Sequence, residues 1–498
     1  MNSFWYTLKK YFPLCIFPVV CLFFIFFLNA AYADRASLNK QLQHILTNPC
    51  LNGVSCGIHI VSTRNNSTLF QFRNDDLFRV ASNMKLLTTA AALEYLGPDF
   101  LYKTSVEING EKTVNGVLEG NIIIRGSGDP NLSGRFHNGN ILAVPESWLK
   151  VIQDMDIRAV TGEIIADDRV FDRVYVNPNW PKNQLSRWYC APSSGLSFND
   201  NCVDITILSG KQPDKTVNVF IEPKTSYFTI HNNCVYTLHK KEHAYSLFRK
   251  TGTNEISIKG KFWVNASSQK NWVTVHNPSL YLATVFKETL EEGGIAVSGD
   301  VRLIKDEDLV DNSFTNRKKI AQTTSSMAQT VTVTNKRSQN FYAEQILKTL
   351  GRHVKGRGCL EAGIEVMSDF MRKLGVPSEE YCIEDGSGLS MGNTLSPKML
   401  TTLLSYMSTH VHKKYFFDSL PVSGVDGGLR RRIIGPRYKN KVHAKTGYIA
   451  KTSALSGYIE TMNGDLLVFS VITNNIKNLS AVRMIEDSIC KAIIDHYN

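Results

Sequence analysis

Three short clusters in the chain carry residue types that can make and break an acyl bond. The first is Ser82-Asn83-Met84-Lys85, at the head of a helix-like run, Leu86 to Leu96, that Gly97-Pro98 ends. A serine hydroxyl is a poor nucleophile until a base takes its proton, and a lysine can be that base only when its own pKa is lowered. Ser82 and Lys85, three apart at a helix start, share a face where free backbone N–H groups add positive potential. The second cluster is Ser338-Gln339-Asn340, a hydroxyl and an amide near a helix start, with Ser338 placed to relay a proton and Asn340 to hold a substrate amide. The third is Lys445-Thr446-Gly447-Tyr448 on an edge-type strand. Lys445 is a second cation that would keep Lys85 neutral and attract a carboxylate. Thr446 offers that carboxylate a hydroxyl, and Gly447 lets a substrate backbone come close. The amide N–H groups of Tyr448 and Ser82 would form an oxyanion hole. Taken singly, each cluster is an ordinary feature: a surface Ser and Lys, a Ser N-cap, a turn between strands.

The elements that must bring these clusters together are widely spaced. Residues 34–56 read as an amphipathic helix with Leu38, Leu42 and Leu46 four apart. Cys56 to Val61 and Leu69 to Arg73 read as a hairpin, so the Ser82 helix follows a sheet. After Gly97-Pro98 the texture turns to short β-type runs: Thr104–Ile108, Val114–Leu118, Asn121–Arg125, Gly162–Ala166, Val203–Leu208, Val217–Ile221, Phe228–Ile230, Glu255–Ile258 and Trp272–Val275. A helix from about Ser279 to Gly293-Gly294 and a strand, Gly299–Ile304, close this block. Gly126-Ser127-Gly128-Asp129-Pro130 is a turn, since a dinucleotide fingerprint needs a third glycine and no proline there. From about Gln322 helices dominate (Gln339–Leu350, Leu360–Leu374, Pro397–Ser408). A meander of Lys441–Thr446, Ser453–Thr461 and Leu466–Thr473 and a last helix, Ala481–His496, follow. The pattern predicts an α/β (α+β) chain whose main domain, 34–98 and 307–498, is interrupted by a β-rich insertion. The insertion divides into 99–200 with 273–306 and a nested module, 201–272.

Composition narrows the class. With 498 residues, 43% hydrophobic and 20% charged, the chain is a folded protein of two to four domains. Lys9 and Lys10, the apolar run from Phe12 to Leu28 and Ala31-Tyr32-Ala33 predict an export signal cleaved after Ala33. Its loss removes two Lys and no acids, lowering the net charge from +11 to +9. On an exported protein this charge suits anionic envelope polymers or peripheral contact with a membrane surface, and not nucleic acid. Arg430-Arg431-Arg432 reads as a solvated face. Eight of ten cysteines remain after cleavage, and export permits the local pairs Cys50–Cys56, Cys190–Cys202 and Cys359–Cys382. No C-x-x-C occurs, and His239 and His243, though four apart, lack the neighbouring Glu arrangement of H-E-x-x-H, so neither a metal nor a cofactor is expected.

The order S-x-x-K, S-x-N, K-T-G is the signature of active-site serine penicillin-recognising enzymes. Five further stretches sharpen it: Gly120 to Leu132, Tyr189-Cys-Ala-Pro192, Asn199-Asp-Asn-Cys202, Asp385-Gly-Ser-Gly-Leu-Ser390 and Leu420 to Gly428. With them the chain resembles the class C low-molecular-mass penicillin-binding proteins, which are D-alanyl-D-alanine carboxypeptidases and endopeptidases. The resemblance implies a penicillin-recognising, transpeptidase-like (β-lactamase-like) domain, an antiparallel sheet flanked by helices, carrying a large two-module insertion. It implies Ser82 as nucleophile, Lys85 as its base, Ser338 and Asn340 as the second motif, and Lys445, Thr446 and Gly447 as the third. Its implied partners are peptidoglycan stem peptides as substrate and β-lactams as inhibitors, in the periplasm. Two positions depart from some relatives: Met391 stands where they carry Arg, and Ala450 where they carry Gln, both near the side chain of the third stem-peptide residue. A β-lactamase, or a β-lactam sensor or wall-binding protein, would carry the same three motifs. Carboxypeptidase and endopeptidase action both fit.

Overall fold

Five antiparallel strands that join the two ends of the chain form the central sheet, in the order Val442–Ile449, Thr452–Glu460, Leu466–Asn474, Ser55–Ser62, Thr68–Phe72. A computed structural model of the chain describes residues 36–310, 316–462 and 464–497, so the expected export signal over 1–33 lies outside the described residues. The inner strands are buried along nearly their whole length because helices cover both faces. On one face, the helix over residues 36–46 and the last helix, Leu479–His496, set Leu38, Leu42, Ile489 and Ile493 against Ile58, Ile60, Leu455 and Phe469. On the other, helices Met84–Tyr95, Asn340–Lys355, Leu360–Lys373 and Pro397–Thr409 meet Tyr458, Val468 and Ile472. Each large apolar side chain fully buried here contributes about 1.5–3 kcal/mol relative to exposure. Residues Met84 to Leu93 are all buried, so the helix behind Ser82 is a core element with no solvent face. Its start is therefore fixed from every side.

The insertion has its own cores. A seven-stranded sheet, built on Leu101–Lys112 and Val117–Arg125, is covered by helices Ala143–Asp154 and Pro278–Glu292. Trp148, Ile152, Phe286 and Leu290 pack there against Ile122, Ile124 and Ile164. Two three-stranded sheets between residues 202 and 274 share a separate core of Val203, Ile205, Tyr236, Ile258 and Phe262.

Several elements differ from the expected ones. Val114 is in a turn and 98% exposed, and one strand, Val117–Arg125, replaces the two short runs expected there. Helices Ala143–Asp154 and Met327–Lys336 and strands Ala244–Arg249 and Arg317–Ser326 were not anticipated. Arg317–Ser326 pairs with Leu101–Lys112, so the chain crosses back through the insertion's sheet before it re-enters the central domain. The three proposed disulfides do not form: all eight cysteines among the described residues are free. Cys190 packs with Trp180 and Leu389, whereas Cys202 packs with Ala191, Phe341 and Tyr342. Cys359 caps helix Leu360–Lys373, while Cys382 bridges to Thr394. Cys50 and Cys56 touch the same core without bonding, and burial pushes the Cys56 thiol up to about 12, which makes it inert.

Candidate active site

The nucleophile turn is strained and clamped. Ala81, Ser82 and Asn83 form one 3-10 turn ahead of helix Met84–Tyr95, and Ala81 has a left-handed φ of 46°. A non-glycine residue there costs about 1–3 kcal/mol and persists only where its surroundings hold it. Gly388 supplies one side of the clamp, since a side chain on it would overlap the Ala81 carbonyl. Strand Val442–Ile449 supplies the other. Asn83 Nδ2 donates to the Lys445 carbonyl at 3.0 Å, and a Cβ on Gly447 would lie 2.8 Å from the Val80 carbonyl oxygen. Gly447 is thus required for the strand to reach the turn.

Lys85 is fully buried one turn below Ser82. Its Nζ lies 3.0 Å from Ser82 Oγ, 2.6 Å from Asn340 Oδ1 and 2.6 Å from the Ser387 carbonyl oxygen. Asn340 begins helix Asn340–Lys355, and its Nδ2 donates to the Tyr189 carbonyl at 2.8 Å. Ser338, just before that helix, has a left-handed φ of 55°, and its Oγ accepts from Lys445 Nζ at 2.8 Å. Lys445 also donates to the Thr446 carbonyl at 2.7 Å. Hydrogen bonds thereby join Ser82 and Asn340 to Lys85, and Ser338 to Lys445, from three segments of the chain. Thr446 is half-buried on the same strand, and Tyr448 is 55% exposed with its ring under the Arg483 guanidinium of the last helix. Met391 and Ala450 are exposed.

Burial lowers the Lys85 pKa to about 7, against the pull of Asp385 and Glu344. Burial first, and then Lys85, holds Lys445 well below the ordinary lysine value. Desolvation is thus the leading cause at both lysines, and the mutual repulsion of the two ammoniums adds to it. Neither ammonium has a carboxylate in direct contact among the described residues.

Sequence reasoning missed the shell around Lys85. Asp385, fully buried, accepts from Gly388 N (2.6 Å), Ser390 N (2.6 Å), Asn393 Nδ2 (2.8 Å) and Trp180 Nε1 (2.9 Å), which shapes the loop that presents the Ser387 carbonyl. Asp385-Gly-Ser-Gly was visible as a motif without a role. Asn83 sat inside the first motif. Tyr189 acts through its backbone carbonyl, which has no sequence signature, and it brings a segment of the insertion into the site. Among the described residues no group of His, Cys, Asp and Glu could hold a metal ion.

A profile of the D-Ala-D-Ala carboxypeptidase 3 (S13) family matches residues 38–493. The chain is 29% identical over 458 residues to a D-alanyl-D-alanine carboxypeptidase of Actinomadura sp. (strain R39), covering 90% of this chain and 82% of that protein. It is 24% identical over 436 residues to the D-alanyl-D-alanine carboxypeptidase DacB of Haemophilus influenzae, covering 86% and 87%. In three dimensions it resembles the crystal structure of penicillin binding protein 4 (dacB) from Haemophilus influenzae. The TM-score is 0.78 at 20% identity, over 92% of this chain and 99% of that one, so the penicillin-recognising fold is shared.

Proposed function

The chain belongs to the D-Ala-D-Ala carboxypeptidase 3 (S13) family and is a serine DD-peptidase, and we propose that Ser82 is its nucleophile and Lys85 its base. The observation that carries this reading is the set of partners around Lys85 Nζ. Two of the three, Asn340 Oδ1 and the Ser387 carbonyl, can only accept hydrogen bonds. A neutral amine therefore uses both its N–H bonds on them and turns its lone pair toward the Ser82 hydroxyl. Ser82 Oγ attacks the carbonyl of a D-alanyl-D-amino-acid bond while its proton passes to Lys85. The Ser82 and Tyr448 amides receive the developing oxyanion. The substrate's terminal carboxylate binds at Lys445 and Thr446, and its charge favours the protonated form of Lys445 against the burial that lowers its pKa in the free site. Ser338, bonded to Lys445, relays to the leaving amine the proton that Lys85 took from Ser82, which restores Lys85 as the base, and water then hydrolyses the ester on Ser82.

A terminal D-alanine and an interpeptide cross-link present the same acyl group to Ser82, so the reading covers carboxypeptidase and endopeptidase action on peptidoglycan stem peptides. β-Lactams, which place a strained amide at the same point, acylate Ser82 and inhibit. The net positive charge and the predicted signal over residues 1–33 support work in the periplasm, beside an anionic wall. No helix among the described residues is long and apolar enough to cross a membrane. The test is product analysis with purified protein on muropeptides ending in D-alanyl-D-alanine and on cross-linked dimers. The expected outcome is release of D-alanine or of monomers by the native protein and neither by Ser82→Ala. Native-rate release by Ser82→Ala would refute the assignment.

A further inference from the structure

One acid in the site has no part in the steps above. Glu344 lies one turn beyond Asn340 on helix Asn340–Lys355, the spacing that puts both side chains on one face. It is 4% exposed, and its Oε1 is buried without a hydrogen-bond partner. A buried carboxylate needs its oxygens satisfied, and leaving a charged one short is costly. Asp385, by contrast, accepts four hydrogen bonds, two of them from backbone N–H groups. The two acids flank the same loop unequally satisfied: Asp385 accepts two hydrogen bonds on each oxygen, whereas Glu344 meets only the Ser387 side chain and the Gly386 backbone and leaves Oε1 without a partner.

We propose that Glu344 is a positioning residue, held as the neutral carboxylic acid so that Lys85 can stand beside it as the free amine. The inference rests on Lys85 being the base for Ser82. The groups facing Glu344 are few. From the nucleophile helix there is Lys85, and from the 385–390 loop there are Asp385, the Ser387 side chain and the Gly386 backbone. Lys445 on the strand adjoins through Lys85. Lys348, the next turn of Glu344's own helix, turns away to Asp172 at 2.6 Å. An ionised Glu344 would be a second negative charge on Lys85 beside Asp385 and would retain the ammonium. In support, burial and then Asp385 push the Glu344 carboxyl up to about 8, so it keeps its proton at neutral pH. Lys85 and Glu344 then titrate as a coupled pair. With one proton between them, only the arrangement that puts it on Glu344 leaves a base for Ser82.

The experiment is the pH dependence of acylation by a penicillin, read as covalent adduct against time, for the native protein, Glu344→Gln and Glu344→Met. Both substitutions are neutral and similar in length, and Met does not require donors for an amide. The native rate is expected to fall below about pH 7, where Lys85 gains its proton. Both variants are expected to keep that midpoint within about 0.3 pH unit, because each replaces a neutral carboxylic acid with another neutral side chain. A midpoint lowered by on the order of one pH unit in both variants would mean that native Glu344 is ionised and holds the proton on Lys85, and would overturn the inference while leaving Ser82 and Lys85 in place. A native protein that takes no adduct at any pH would overturn the parent reading as well. The native protein gives a second readout free of any folding defect. A buried carboxylic-acid carbonyl band in the infrared should fade as pH rises through about 8, and the lack of any such band at pH 6 would contradict the proposal.

Discussion

Two buried charge clusters lie on opposite faces of the central sheet, and they are built on opposite rules. Behind the sheet, Arg432 donates to Glu486 and Asp487, each at 2.7 Å, and Ser453 Oγ gives the second Glu486 oxygen a hydrogen bond at 2.6 Å. Every charge there has a counter-ion in contact. In front, Lys85 and Lys445 are buried just as fully, yet their contacts are hydroxyls, an amide oxygen and backbone carbonyls. Behind the sheet Arg432 opposes the burial that raises the Glu486 carboxyl and the contact serves cohesion, whereas in front burial lowers both lysines with no counter-ion in contact to oppose it. The first cluster holds the last helix on the sheet. The second is the site.

The contrast can be broken from either side. The largest effect belongs to Ser82→Ala, which should lower acylation by at least about 10³-fold with thermal stability kept, read by penicillin labelling and calorimetry. Arg432→Met leaves Glu486 buried without its partner. It should cost about 3–5 kcal/mol of stability in denaturant unfolding, with little change in acylation per folded molecule. Lys445→Met should reverse that pattern. With no paired carboxylate to orphan, it should leave stability nearly intact but raise KM for peptides with a free carboxylate by about 10–100-fold, a loss of about 1.5–3 kcal/mol. Thr446→Val should do the same more weakly, about tenfold, in the same KM measurement. If Lys445→Met proved as destabilising as Arg432→Met, the two clusters would not differ as described.

What the sequence made legible divides along the same line. The reactive side chains stood in three short motifs, and the strands and helices that carry them were readable from alternation, Ala-rich runs and Gly-Pro stops. Helix Leu360–Lys373 and the closing meander fell where periodicity put them. Helix Met327–Lys336 was obscured because its Thr and Val content resembles a strand, although Ser326 and Gln329 form the capping box that starts it. Strand Arg317–Ser326 was obscured by its polar sequence, which long-range pairing with Leu101–Lys112 overrides. Arg432 was read with Arg430 and Arg431 as a solvated face. Its neighbours are exposed, but Arg432 turns inward to acids more than fifty residues away, which no local pattern announces. The cause of Lys85's discharge was equally hidden. Desolvation depends on what surrounds the amine, and that shell is drawn from Asn340, the 385–390 loop and the insertion's Tyr189.

The central claim is that Lys85 is an uncharged amine when Ser82 reacts. A titration of the Lys85 side chain by NMR, with ¹³C at Cε and assignment by Lys85→Arg, reads it directly. The structure predicts a midpoint near 7, more than three units below an ordinary lysine, with the acidic limb of acylation following it. A midpoint at the ordinary lysine value, with acylation still rapid at neutral pH, would contradict it.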